Sequence, residues 1–256
     1  ELLARTGQLQ APSTTNSWPV DYAAVQAWRA RETLLLQTDP AYAAQRKAYY
    51  ASGVEGCLAF INHWGMTHEP RNAGKHDAQG KPLPTWLPMI LFKRQEELKR
   101  FTFALMETEA NGLVEKSRDM GATWTLLQVS IWMWLFWDAV TVGWGSATAV
   151  KLDRSGDLGS IFEKLRTAIK LIPEPFFPDR LRKDKHLLDK RAANPNSGSA
   201  IVGEVGDEIG RGSRTRLYVV DEAAHLEHPE LVESALSETT RVRIDVSSVS
   251  GLGTVF

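Results

Sequence analysis

Two short segments constrain what this chain can fold into more than anything else in it. Residues 115–124 read Glu-Lys-Ser-Arg-Asp-Met-Gly-Ala-Thr-Trp, and residues 217–222 read Leu-Tyr-Val-Val-Asp-Glu. The second is a continuous apolar run ending in paired acids, the pattern of a central parallel strand buried on both faces. The first has the ingredients of a phosphate-cradling loop between a strand and a helix, where free N–H groups and a helix N-terminus favour an anion. It departs from the usual G-x-x-x-x-G-K-S/T text, in which the Lys reaches the β/γ-phosphates and the hydroxyl holds Mg²⁺. Gly121 and Thr123 stand in the expected places, but Ala122 replaces the Lys. A lysine stands instead at Lys116, where the first Gly would be. The charge has moved from the end of the loop to its beginning.

The text around these segments alternates between strand and helix patterns. Residues 21–50 read as one or two helices broken near Asp39-Pro40, and 70–88 as a Pro/Gly-rich loop. A helix is expected after Phe92, a short strand at 110–115, and then the phosphate loop opening a helix to about Trp137. Further strands are expected at 139–145, 199–205, 216–221 and 242–248, and helices at 156–172 and 229–237. Residues 180–191 are basic and read as a solvated face. Such alternation implies a mostly parallel sheet covered by helices on both faces. Residues 1–20 show little periodicity and read as a mobile arm.

Bulk properties exclude several classes. In 256 residues there is room for one large α/β domain, with or without an appendage. A net charge of −1 gives no global electrostatic reason to bind nucleic acid, so such contact requires a local patch. Cys57 is the only cysteine, which rules out an intrachain disulfide and a cysteine-based zinc site. His63 and His68 lack a matching acidic ligand set. Residues 126–142 resemble a membrane span in hydropathy, but Gln128, Ser130 and Asp138 and the adjoining phosphate loop favour a buried helix running into a core strand. Trp132, Trp134 and Trp137 are assigned to that buried helix. No secretory signal is visible, and the chain, without an initiator Met, reads as a fragment.

The chemistry follows from residue types. Ser117, Asp119, Met120, Gly121, Ala122, Thr123 and Trp124 form the expected nucleotide cradle, with Lys116 and Arg118 as its cations. Thr123 would ligate Mg²⁺ and Asp221 would hold it through water. Glu222, adjacent to Asp221, could polarise an attacking water.

Taken together, the motifs resemble those of the large terminase subunit of tailed bacteriophages, the ATPase that drives DNA into the capsid. The matching text is 115–124, Ser155-Gly156-Asp157 before an amphipathic helix, 203–214, 218–225 and 243–251. A P-loop lysine moved to the start of the loop is a variant of that family. The resemblance implies a RecA-like P-loop NTPase core, α/β with a mostly parallel sheet flanked by helices, over residues 56–256. Residues 1–55 would be an N-terminal arm and helical appendage, and the family's C-terminal nuclease domain would be absent from this chain. It implies ATP and Mg²⁺ as cofactors, with Lys116 or Arg118 doing the work of the missing lysine. Gln95 resembles the adenine-reading residue, with Phe92 or Arg94 packing on the base. Arg211 resembles an arginine offered to a neighbouring subunit's γ-phosphate, with Arg214 and Arg216 as rivals. Ser247, Ser248 and Gly251 resemble the motif that couples phosphate loss to DNA movement. The implied partners are double-stranded DNA, a portal protein, a small terminase subunit and further copies in a ring, without membrane, in the host cytoplasm. A helicase-type translocase and a nucleotide-binding assembly module without turnover remain alternatives.

Overall fold

The computed structural model describes residues 21–248. The expected arm at 1–20 and Gly251 lie outside the described residues. The chain divides into two compact units, one running up to Lys93 and taking back Leu171–Phe176, the other made of Arg94–Lys170 and the chain from Phe177 onward.

The first unit is helical. Helix α1 (Tyr22–Thr38) begins at Asp21, whose carboxylate accepts from the Ala24 N–H. It stops where Pro40 follows Asp39, because the residue before a proline is pushed out of helical geometry. Asp39 then caps α2 (Pro40–Tyr50) by accepting from the Tyr42 N–H. Helix α3 (Gly53–Trp64) supplies the apolar centre, with Cys57, Leu58, Ala59, Phe60 and Ile61 buried. Tyr50, Phe60 and Trp64 pack around Phe176, which returns to this unit from later in the chain. Several polar groups buried here are paired: Glu32 meets Arg46 at 2.7 Å, and the Tyr50 hydroxyl oxygen accepts from Arg46 at 2.6 Å and from the Trp64 indole at 3.1 Å. Strand β1 (Met66–His68) pairs antiparallel with β2 (Trp86–Pro88), which lies at the end of the stretch 70–88 expected to be loop.

In the second unit, α4 (Lys93–Thr108) leads to β3 (Gly112–Glu115), and α5 (Ala122–Phe136) follows the loop. Helix α5 is buried almost all round, as an apolar helix without a polar face must be, and Trp132 and Trp134 are fully enclosed. Trp137 ends it in extended geometry and is half-buried. No described helix is long and apolar enough to cross a membrane.

The sheet continues with β4 (Thr141–Ser146), then short α6 (Ala149–Leu152) and α7 (Ile161–Lys170). Helix α7 starts later than its sequence suggested. Asp157 turns the chain by accepting from the Gly159 N–H at 2.7 Å, and its carbonyl accepts from Ser160 N–H at 2.9 Å. Residues expected to be only a solvated basic face instead form short α8 (Lys183–His186) and a hairpin of β5 (Leu187–Leu188) and β6 (Arg191–Ala193). Then come β7 (Ala200–Val205), β8 (Leu217–Asp221), α9 (Pro229–Thr239) and β9 (Arg243–Ser247). The seven strands lie in the order β3-β9-β8-β4-β7-β6-β5. Neighbours from β3 to β7 are parallel, while β6 and β5 pair antiparallel at one edge. This is an α/β core of RecA-like kind, with β9 interposed between β3, which precedes the loop at 116–121, and β8, which ends in acids.

Candidate active site

Parallel register brings the ends of these strands to one edge. Glu115 pairs with Ser247, Val246 with Asp221, Asp221 with Ser146, and Ser146 with Val205. Loops leaving the carboxyl ends of parallel strands converge there, where such folds bind ligands. The loop at 116–121, Glu222, Ser248 and the loop carrying Arg211 therefore all emerge on the same side.

The loop is shaped from within. Asp119 and Gly121 have φ of 63° and 70°, a left-handed conformation that Gly adopts freely and Asp tolerates better than most residues. Gly121 caps α5, so the first N–H groups of that helix open toward the loop. Gln95 braces the turn, its side-chain amide donating to the Met120 carbonyl at 3.2 Å. At the other end, the Lys116 N–H donates to the Ser247 carbonyl at 3.0 Å, tying the loop to β9.

The two sequence segments meet in one contact. Thr123, in the first turn of α5, donates its hydroxyl to Asp221 Oδ2 at 2.9 Å. Asp221 is buried, and burial pushes its carboxyl above the ordinary range against the Thr123 hydrogen bond and the charges of Lys116 and Lys164. Lys116 thus reaches Asp221 electrostatically, whereas Arg118, like Ser117, is exposed. Ala122 is buried, and Trp124 is half-buried on α5.

Glu222 holds φ 58° and ψ 38°, a left-handed geometry that costs a non-glycine residue on the order of 1–3 kcal/mol. This geometry turns its side chain away from the run of the strand, and Lys151 Nζ lies 3.7 Å from Glu222 Oε1. Ser247 joins the neighbouring strand ends, accepting from the Ala224 N–H at 3.3 Å and donating to the Ser248 carbonyl at 3.0 Å. Among the arginines, Arg211 is exposed on the loop after β7. Arg216 lies at the start of β8, the opposite edge, where it donates to the Met106 carbonyl at 2.7 Å. Arg214 precedes it there, also exposed.

Beside the loop is a cavity of about 560 Å³ whose wall includes Arg94, Gln95, Leu98, Phe101, Leu113 and Met120. Arg94 and Gln95 were expected on such a wall. Its aromatic ring is that of Phe101, which the sequence reading did not single out.

Two further cations were missed. Lys151 follows β4, and Lys164 lies in the first turn of α7. Burial lowers the Lys164 ammonium pKa, and the charge of Asp221, followed by that of Glu222, opposes it. A signal was present in the sequence: a lysine in a helix's first turn opposes the helix dipole and calls for a nearby anion.

The donor chemistry fits a hard cation. Thr123 and Asp221 present hydroxyl and carboxylate oxygens at contact distance, and Mg²⁺ binds few protein oxygens while keeping most of its waters.

The fold defines the class: an α/β core of the RecA-like kind, with a mostly parallel sheet flanked by helices and one strand between β3 and the acid-ended β8. Among solved structures, the chain is similar to the HK97 bacteriophage large terminase, with 12% identity and TM-score 0.49 over 76% of this chain and 37% of that one. It is also similar to the large terminase ATPase domain of Thermus phage P74-26, with 17% identity and TM-score 0.41 over 57% of this chain and 61% of that one. A mutant form of that domain matches at 16% identity and TM-score 0.40, over 57% and 62%. The chain thus spans less than two thirds of each of these structures. No family model matches it, and no curated protein does.

Proposed function

We propose that this chain is the ATP-hydrolysing motor domain of a phage large terminase, which translocates double-stranded DNA into a procapsid. The observation that carries this reading is the Thr123–Asp221 contact, in which a phosphate-loop hydroxyl and an acid-ended strand meet at 2.9 Å. Motif order, sheet order and the cavity beside Gln95 support it.

In this mechanism the backbone N–H groups at the start of α5 hold the phosphates, and Lys116 with Arg118 neutralises charge on them. The base occupies the cavity, against Phe101 and Leu113, with Gln95 at its edge. Thr123 and Asp221 would hold Mg²⁺, which when bound supplies charge neutralisation to the β- and γ-phosphates. Glu222 orients the attacking water and takes up its proton, a role for which its departure from the strand direction suits it. Arg211 completes the site of a neighbouring copy, so hydrolysis depends on a ring. Ser247 and Ser248, between the phosphate loop and the segment after Asp221, respond to loss of the γ-phosphate and pass it on, with Gly251 as part of the same motif. Portal protein and a small terminase subunit are the partners of such a motor, acting in the host cytoplasm.

The test is Mg²⁺-dependent ATP hydrolysis against protein concentration, for the unaltered chain, Glu222→Gln and Arg211→Ala. Specific activity is expected to rise with concentration, to be lost in each variant, and to return when the two are mixed. ATP binding with no hydrolysis by the unaltered chain at any concentration, including in a full-length terminase, would overturn the reading.

A further inference from the structure

The loop that carries Arg211 is held far more firmly than an exposed loop needs to be. Glu204, on β7, accepts three hydrogen bonds through its carboxylate: from the Gly210 N–H at 2.6 Å, the Gly212 N–H at 3.0 Å and the Tyr218 hydroxyl at 2.8 Å. The two N–H groups belong to the residues on either side of Arg211. Carboxylate bonds of this kind are short and about twice as strong as neutral ones.

Apolar packing fixes the same loop from a second direction. Ile209 is fully buried against Tyr218, Val220, Val232 and Leu236. Gly210, with φ of 84°, lies so close to α9 that a Cβ on it would sit 2.9 Å from the Leu236 nitrogen. Gly212 has no room for a Cβ either, because one would collide with Glu204 Oε1. Between these anchored neighbours, Arg211 is exposed, and its guanidinium makes no hydrogen bond or ion pair among the described residues. The fixed groups on either side of Arg211 tie the backbone inward, while its side chain is left to solvent.

We propose that Glu204 is a positioning residue that fixes the Arg211 loop for use by a second copy of this chain, a role that rests on reading Arg211 as an arginine supplied in trans. An arginine that must reach a phosphate on another molecule gains from a backbone that does not have to be ordered at the moment of docking, since ordering costs are otherwise taken from the interaction. Tyr218 takes part by donating to the same carboxylate oxygen as the Gly210 N–H, and it lies on β8, which ends in Asp221 and is followed by Glu222. The clamp therefore links the arginine of one site to the acid strand of the same copy's own site.

Glu204→Gln is the direct test, because a carboxamide placed among three donors must set its own NH₂ against one of them. Gly212→Ala is the second variant: it leaves the carboxylate in place and displaces it by contact, on an exposed loop where loss of fold is not expected. In both variants the Gly210 and Gly212 amides are expected to exchange with solvent at least about tenfold faster, while ATP affinity is unchanged. Hydrolysis at saturating ATP is expected to fall roughly tenfold to hundredfold, the scale of a displaced catalytic group. Mixing either variant with Glu222→Gln, which retains an intact Arg211 loop, is expected to restore it. Unchanged amide exchange overturns the clamp. A loss that mixing does not restore, when the loss in Arg211→Ala is restored, also overturns the positioning role and leaves the motor reading intact. If Arg211→Ala hydrolyses ATP as the unaltered chain does, the trans arginine itself fails and the role of Glu204 with it.

Discussion

Thr123 and Asp221, separated by 98 positions in sequence, share a hydrogen bond of 2.9 Å between hydroxyl and carboxylate. The register of β8 and the start of α5 make this contact, and it places the buried end of the acid strand against the first turn of α5. Charge is therefore concentrated where water is scarce.

That concentration has a stability cost. Asp221 is only 9% exposed, and burial works against its charge. Without nucleotide, Asp221→Asn is expected to be more stable than the unaltered chain by about 1 kcal/mol, or roughly 2–4 °C in Tm. The same variant is expected to lose hydrolysis. Thermal melts of both forms, with and without Mg²⁺ and ATP, check this, and a lower Tm for the variant would contradict it.

Gln95 and Gly121 are expected to behave as a coupled pair. A Cβ on Gly121 would lie 2.5 Å from Gln95 Nε2, and φ of 70° adds a left-handed penalty of about 1–2 kcal/mol. Gly121→Ala should therefore weaken ATP binding by roughly tenfold or more, one decade being about 1.4 kcal/mol. In Gln95→Ala the space exists, so the double variant should bind better than the sum of the two single losses predicts. Calorimetric titration of a double-mutant cycle decides, and strict additivity would show that the two residues act separately.

Lys164 bears on the acid pair without belonging to the phosphate loop. Its charge interacts with Asp221 and Glu222, and its ammonium donates to the Gly159 carbonyl at 3.3 Å. Lys164→Met is expected to lower kcat about tenfold, a barrier change of about 1.4 kcal/mol, while Lys164→Arg retains most activity. Steady-state kinetics on both variants separate loss of charge from loss of packing. Equal losses in Met and Arg would point to shape instead.

Much of this was legible in the sequence because local pattern and tertiary demand agreed. The apolar run 217–220 fits a strand buried on both faces, and Asp39-Pro40 favours a helix break. Gly121 and Thr123 mark a helix N-terminus whatever the surrounding fold. What was not legible depended on partners far along the chain. The hairpin of β5 and β6 reads as a basic stretch, since strands of two and three residues carry too little periodicity to register. Asp157 delays α7 through a turn whose residues also fit a helix start. Phe101 and Leu113 look like ordinary apolar residues until α4 and edge strand β3 bring them to one cavity. Glu204 is one acid among several until the fold sets three donors around it.

A largely buried ion pair of the second unit joins the end of α6 to α7. Arg166 grips Asp153 with two nitrogens at 2.8 and 2.6 Å, and the Lys190 N–H donates to the same carboxylate at 2.7 Å. Asp153 is 1% and Arg166 11% exposed at the side chain, so removing one partner leaves a buried charge alone. Asp153→Asn is expected to cost about 3–5 kcal/mol at neutral pH, read as a lower urea midpoint. Burial alone would raise the Asp153 carboxyl, but its hydrogen bonds from Arg166 and Lys190 outweigh that and hold it below its ordinary value. A depressed carboxyl contributes stability that is fully present above its unfolded value of about 3.9 and is lost as pH falls through the folded value. The gap between the two forms is therefore expected to be widest near neutrality and to narrow in acid below roughly pH 4. Because Asp153 directly follows α6, which carries Lys151, and Arg166 shares α7 with Lys164, the variant is also expected to hydrolyse ATP more slowly. A destabilisation that stays constant from pH 7 to pH 3 would mean that Asp153 acts by packing alone.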